Sequence, residues 1–179
     1  GRPFYYYAYG VACVEVLVDT LTGEYRMLRG DILHDVGDSL NPAIDIGQVE
    51  GAFIQGMGWL TMEELVWNAK GKLMTNGPAS YKIPAIADMP IDLRVKLVEN
   101  RKNPEDTVFH SKAVGEPPFM LGIAAWCALK DAVASLADYK VQPQIDAPAT
   151  PERVLWGVEQ MRKLKQARTS AVEMETAGA

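Results

Sequence analysis

The stretch ACVEVLVDTLTGEYRMLRGDILHDV, residues 12–36, decides the fold class of this chain. Residues 12–19 are mostly aliphatic and β-branched, which predicts a strand with a largely apolar face. The sequence TLTGE at 20–24 predicts a turn, and residues 25–36 predict a second strand. Because the turn is short, we expect the two strands to form an antiparallel hairpin.

A helix is predicted directly after this hairpin. Asn41 can cap its start and Pro42 suits its first position. Apolar side chains recur at helical spacing through residues 46–65. Four glycines interrupt this segment, and each costs a helix interior roughly 1 kcal/mol relative to alanine: Gly47, Gly51, Gly56 and Gly58. We therefore expect another group to lie against the helix backbone, with close helix–sheet packing as the simplest case.

The remaining elements complete an α+β fold. Residues 91–98 alternate apolar and charged side chains, which predicts a half-buried strand. Residues 119–139 are apolar nearly all round and predict a core helix. A last helix is predicted from Pro151 to about Lys165. We expect one domain over residues 1–166 and a disordered tail over 167–179. The order hairpin, helix, strand, helix, helix indicates α+β rather than alternating βαβ units.

Composition narrows the possible partners. The 179 residues carry 18 basic and 23 acidic side chains, a net charge of −5, which disfavours nucleic acid and anionic membranes as partners.

The longest apolar run, residues 117–129, is shorter than the roughly 20 residues that cross a bilayer. The first residues lack a signal-peptide pattern, so a cytoplasmic location is expected. Because the chain does not begin with Met, we expect an internal or processed piece of a longer protein.

Several potential sites are weak. The sequence GMGWLT at 56–61 approaches a phosphate-binding glycine motif but lies within a helical segment. His34 and His110 are the only histidines, and each is expected to be structural or at the surface. Cys13 and Cys127 are too few for a disulfide scaffold, an iron–sulfur cluster or a structural zinc site. Four acidic residues lack the spacing of a calcium loop: Asp31, Asp35, Asp38 and Asp45.

The segment SKAVGEPP, residues 111–118, carries a stronger signal. Pro117 holds Glu116 away from helical backbone geometry, and Gly115 permits close approach or an unusual dihedral angle. A carboxylate fixed in this way beside a helix start suits a general base. The alternative is that Glu116 merely binds the first free amides of the following helix.

Gln48 is the second candidate. It lies among glycines in an apolar segment, and its amide can both donate and accept hydrogen bonds to a heteroatom-rich ligand. The alternative is an ordinary surface glutamine on a helix.

Two motifs resemble the C-terminal part of the molybdenum-binding subunit of the xanthine dehydrogenase family: NPAIDIGQVEGAF at 41–53 and SKAVGEPP at 111–118. Shorter stretches support the resemblance, which covers about residues 1–154: GRPFYY at 1–6, GP at 77–78, YKIP at 81–84 and DAPATP at 146–151. The sequence VGEPP favours xanthine dehydrogenase over the related aldehyde oxidases, which usually depart from Pro-Pro after the glutamate.

This resemblance implies roles for individual residues. Glu116 matches the family's general base, which activates a hydroxyl on molybdenum for attack on an electron-poor purine carbon. Gln48 matches a glutamine near the molybdenum cofactor, molybdopterin, and Val114 and Gly115 border the same site. No residue of this chain is expected to be a metal ligand.

The resemblance also implies partners. The purine-holding segments, the [2Fe-2S] clusters and FAD are expected in the rest of the molybdenum-binding region or in partner domains or subunits of a heteromeric enzyme. The implied reaction is oxidation of hypoxanthine or xanthine towards urate, and the isolated chain is expected to be inactive. Two alternatives stay open, a hydroxylase of another N-heterocycle or of an aldehyde, and a non-catalytic assembly module.

Overall fold

The computed structural model describes Gly1 and residues 3–177, and for 171–177 the backbone alone. Three strands and three helices follow in the order β1, β2, α1, β3, α2 and α3. Their bounds are Gly10–Val18 (β1), Tyr25–His34 (β2), Pro42–Thr61 (α1), Asp92–Leu97 (β3), Ile123–Ala134 (α2) and Pro151–Ala177 (α3). Short 3-10 turns occupy Ile86–Asp88, Val108–His110, Pro117–Gly122 and Ser135–Ala137. This order confirms the predicted α+β class.

The predicted hairpin is present. Strands β1 and β2 pair antiparallel from Gly10 opposite His34 to Val18 opposite Tyr25. Backbone hydrogen bonds of 2.8 Å close the turn between Asp19 and Glu24 and between Gly23 and Asp19. Gly23 has a φ of +78°, and a Cβ there would stand 2.0 Å from the carbonyl oxygen of Pro151. Glycine therefore serves both the turn and the approach of α3.

Strand β3 adds to the hairpin in parallel with β2, which gives a sheet of order β1, β2, β3. Its alternation is as predicted, since Leu93 and Val95 lie half-buried while Arg94 and Lys96 are exposed. The inner face of the sheet packs on α1 through a cluster centred on Ile32, Val49 and Phe53. A second cluster joins α1, α2 and α3 around Met57, Leu129, Val154, Val158 and Met161.

Two helices differ from expectation. The predicted core helix at 119–139 is a 3-10 turn followed by α2, and one stripe of α2 is buried while Ile123 and Cys127 are exposed. The stretch Pro117–Ala137 is long and apolar enough to cross a membrane. Helices in the core of a globular protein meet the same length and composition criteria. Helix α3 continues to Ala177, through most of the predicted tail. Residues 178–179 of that predicted tail lie outside the described residues.

Candidate functional site

The fold brings the two predicted segments together. Gln48 lies near the start of α1, and Gly115 lies in the connection that leads from β3 to α2. The amide oxygen Oε1 of Gln48 is 3.7 Å from the position of a Cβ on Gly115. Glu116 follows directly, at the residue before the turn Pro117–Gly122. Residues far apart in sequence therefore form one surface.

Contact between two glycines holds the two segments in place. A Cβ on Gly56 of α1 would stand 2.1 Å from the carbonyl oxygen of Phe119, and one on Gly122 would stand 2.3 Å from the carbonyl carbon of Gly56. The rings of Trp59 and Phe119 pack beside this contact with centroids 5.4 Å apart. Only glycine permits backbones to approach this closely. Gly56 therefore meets the expectation that a group lies against the α1 backbone, but that group is the turn Pro117–Gly122 and not the sheet.

The other end of the Glu116 segment is anchored to the end of β2. The backbone amide of Lys112 donates to the carbonyl of Val36 at 2.8 Å. The ammonium of Lys112 forms a buried ion pair with Asp35 at 2.6 Å and also donates to the carbonyl of Tyr7 at 2.9 Å. Sequence reasoning did not single out Lys112, and it weighed Asp35 only as a calcium ligand. No local pattern in the sequence indicates that they meet.

The carboxylate of Glu116 has no hydrogen-bond partner among the described residues. Glu116 lies in the N-cap position of the turn with right-handed helical angles, φ −97° and ψ −33°, so the expectation that Pro117 excludes it from helical geometry is wrong. Its side chain makes no capping hydrogen bond, and its carbonyl oxygen accepts from the amide of Phe119 at 2.9 Å. The reading of Glu116 as a structural cap is therefore wrong, because the turn is closed through the backbone. An exposed carboxylate on a doubly anchored backbone is available to a ligand.

Gln48 also has no partner among the described residues, and its side chain is exposed. The four glycines of α1 divide into two pairs. Gly56 and Gly58 face neighbours of this chain, Gly58 lying against Pro84, while a Cβ on Gly47 or Gly51 would meet no described atom within 4 Å. The backbone beside Gln48 is thus uncovered.

Val114 and Gly115 lie differently from each other. Val114 is half-buried and packs on the cluster of Ile32, Val49 and Phe53, so its side chain serves the core. Gly115 is exposed and does not have the positive φ found at Gly23, Gly37 and Gly71. Close approach, rather than an unusual dihedral angle, is therefore the relevant property of Gly115.

The two histidines lie as expected, one in the interior and one at the surface. His34 is buried beside Asp35, and neither ring nitrogen has a hydrogen-bond partner in the described part of the chain. Burial lowers the pKa of His34, although the nearby carboxylate of Asp35 opposes this shift. His110 is at the surface, with Nδ1 at 3.1 Å from the carbonyl oxygens of Asn103 and Glu105. Among the described residues, no cluster of His, Cys, Asp and Glu could hold a metal ion.

Comparison with known proteins assigns the family. The sequence profile of the molybdopterin cofactor-binding domain matches residues 1–90. The chain belongs to this family. It is 53% identical over 159 residues to xanthine dehydrogenase/oxidase of Rattus norvegicus and 50% identical over 165 residues to xanthine dehydrogenase of Oryza sativa. These alignments cover 86% of the chain and 12% of each relative, so the chain spans about an eighth of their length.

A solved structure shows the same fold. Reconstituted CO dehydrogenase from Oligotropha carboxidovorans superposes with a TM-score of 0.76 at 24% identity, over 89% of this chain and 19% of that one. The predicted resemblance to the molybdenum-binding region of xanthine dehydrogenase is confirmed by the sequence relatives. The roles of individual residues stay predictions.

The residues of this surface fit a bound molybdopterin cofactor. Gly47 and Gly51 leave a strip of α1 backbone that a ligand can approach closely, and the free amide of Gln48 projects beside it. A Cβ on Gly115 would meet only the Gln48 amide, at 3.7 Å. The glycines leave space for close approach, and the Gln48 amide supplies a hydrogen-bond donor and acceptor, which suits a flat, heteroatom-rich group.

Proposed function

We propose that this chain is part of the molybdenum-binding region of a hydroxylase that oxidises hypoxanthine and xanthine towards urate, with Glu116 as the general base. One observation carries the proposal. A carboxylate that the fold does not use stands next to Gly115, within one residue of the contact with Gln48. The identity of about 50% to xanthine dehydrogenases of rat and rice supports the purine as substrate.

Glu116 would act as a general base: its carboxylate would accept the proton of the hydroxyl group that attacks the substrate carbon. Its backbone is held upstream at Lys112 and downstream at Gly122, so little reorganisation is needed to reach the proton. Gln48 would hold the cofactor through its amide, and Gly115 would let the cofactor approach the backbone. When bound, the molybdenum cofactor supplies Lewis-acid and two-electron redox chemistry.

The rest of the enzyme would supply what this chain lacks. Each [2Fe-2S] cluster needs four ligands, usually cysteines, whereas this chain has only Cys13 and Cys127, both exposed. We propose that iron–sulfur clusters and FAD in partner domains or subunits receive the electrons. The side chains that hold the purine would likewise come from elsewhere in a cytoplasmic, heteromeric enzyme.

The test uses the assembled, cofactor-loaded enzyme. It is assayed with hypoxanthine, xanthine, quinoline and an aromatic aldehyde, in the parent form and as Glu116→Gln. We expect purine turnover, and a loss of kcat of roughly 10²–10⁴-fold in the variant with its molybdenum content retained. Glu152→Gln, an exposed residue in the first turn of α3, is the matched control and should behave as the parent.

Two results would contradict the proposal. Turnover of the aldehyde alone would reject a purine substrate and leave an aldehyde hydroxylase. Unchanged turnover in Glu116→Gln would reject the general base and favour a non-catalytic assembly module.

A further inference from the structure

The buried ion pair between Asp35 and Lys112 lies outside the surface described above. Its atoms Oδ2 and Nζ are 2.6 Å apart, and the two side chains are 1% and 3% exposed. The pair is completed by hydrogen bonds, since Lys112 also donates to the carbonyl of Tyr7 at 2.9 Å. The second oxygen of Asp35 accepts from the amide of Gly37 at 2.9 Å. A buried pair with its remaining bonds satisfied avoids most of the cost of desolvation.

Each partner belongs to a different segment that leads to the candidate site. The first arm is residues 35–48, which ends at Gln48, and the second arm is residues 108–118, which contains Glu116. Asp35 begins the connection from β2 to Asn41, whose side chain caps the helix that carries Gln48. Lys112 precedes Glu116 in the second arm. The two arms therefore diverge from one point, and each ends at one of the two predicted site residues.

Backbone contacts align the two arms beside the pair. The amide of Lys112 donates to Val36 at 2.8 Å, and the amide of Asp38 donates to His110 at 3.1 Å. Gly37 and Ser111 form an isolated antiparallel bridge. A Cβ on Gly37 would stand 2.5 Å from the carbonyl oxygen of His110, so the arms are in direct backbone contact.

Other charges near the pair do not replace either partner. The guanidinium of Arg101 is 3.6 Å from Asp35, but its side chain is 64% exposed. The ring of Tyr9 lies 5.3 Å from the Lys112 ammonium, and His34 is adjacent to Asp35 in sequence. Removing Asp35 would leave Lys112 as an uncompensated buried charge, and removing Lys112 would leave Asp35 with only the exposed Arg101 as a cationic partner. In both cases the surrounding backbone must move to hydrate the remaining charge.

We propose that Asp35 and Lys112 are positioning residues, and that this single ion pair sets the place of Gln48 and Glu116 together. The inference rests on the proposed function of Glu116. Loss of either partner must therefore displace both arms.

Hydrogen exchange measured by mass spectrometry on the assembled enzyme tests this coupling. The variants are Asp35→Asn, Lys112→Met and the double variant. We expect each single variant to raise exchange about tenfold in both segments, 36–48 and 108–118. The double variant should show less than the sum of the two changes, because no buried charge is left unpaired. The control Glu64→Gln breaks the half-exposed pair with Arg153, of 2.8 Å, and should leave both segments unchanged.

Turnover per bound molybdenum supplies the second readout. We expect kcat to fall on the order of 10²-fold in the single variants while KM changes little, since misplaced groups act mainly in the transition state. Where the single variants fail to assemble, the double variant is compared with the parent, and both segments must again change together. Exchange that rises only in the arm carrying the substitution overturns the proposal. Looser arms with unchanged turnover per molybdenum also overturn it.

Failure of the proposed function can be told apart from failure of the ion-pair proposal. If the parent enzyme oxidises none of the four compounds, the hydroxylase assignment falls, while the paired change in exchange still decides whether the arms share one anchor.

Discussion

The amide oxygen of Gln48 lies 3.7 Å from the point where a Cβ on Gly115 would stand. Such a Cβ would make an ordinary van der Waals contact, so there is room for one methyl group between the two residues. A larger side chain directed at Gln48 would displace its amide.

The effect of a substitution at Gly115 on molybdenum content should therefore depend on the size of the new side chain. Gly115→Ala should fold and assemble as the parent does, because Gly115 has no positive φ and the added Cβ meets Gln48 at 3.7 Å. Gly115→Leu should displace the Gln48 amide and lower molybdenum content several-fold. Metal analysis and a crystal structure of each variant check this. Equal molybdenum content in both variants would show that the bare backbone at Gly115 does not border the cofactor.

Gln48→Ala should weaken cofactor retention, since the exposed amide lies between the uncovered glycines of α1, Gly47 and Gly51. A hydrogen bond to a neutral partner contributes about 1 kcal/mol, so loss of one should raise the rate of cofactor release several-fold. Pterin and molybdenum are measured after prolonged dialysis. Gln55→Ala, an exposed glutamine on the same helix, is the control. Full occupancy and normal turnover in Gln48→Ala would remove this role.

Two glycines of α1 should respond in opposite directions to alanine. Gly56→Ala places a Cβ 2.1 Å from the Phe119 carbonyl oxygen, which should destabilise the fold by about 1–3 kcal/mol and shift the Glu116 segment. Gly51→Ala meets no described atom within 4 Å, so helix propensity should add up to about 1 kcal/mol. Thermal unfolding of the assembled cofactor-free enzyme measures both. Similar destabilisation by the two variants would mean that the contact with Phe119 is not what requires Gly56.

The buried His34 should make stability depend on pH. Burial lowers its pKa below the ordinary value of 6.5, so below about pH 6.5 the unfolded chain binds a proton that the folded chain does not. The stabilisation is complete above that pH and is lost as the pH falls. Unfolding temperatures between about pH 5 and 8 should decline on the acidic side in the parent and less so in His34→Leu.

The surface residue His110 provides the comparison. His110→Gln should keep the acidic decline of the parent, because His34 is unchanged. Identical pH profiles for the parent and His34→Leu would assign the decline to other groups.

Local patterns were enough to predict much of the fold. Aliphatic and β-branched composition around a turn predicted β1 and β2, alternation predicted β3, and Asn41 with Pro42 predicted the start of α1. The extent of α3 was not predicted, since the small and polar residues from 167 onward favour a disordered tail, whereas the helix continues to Ala177. The parallel pairing of β3 with β2 was also unpredicted, because it depends on a crossover through α1 rather than on a turn.

The sequence by itself determined which side chains could do chemistry here. Glu116 between Gly115 and Pro117, and Gln48 between Gly47 and Val49, are recognisable from neighbours along the chain. Only the tertiary structure decided that Gln48 lies beside the Glu116 segment, that the Glu116 side chain does not cap the following turn, and that Asp35 pairs with Lys112. Backbone preferences act between close neighbours, whereas a buried ion pair or a glycine contact exists only after distant segments have packed.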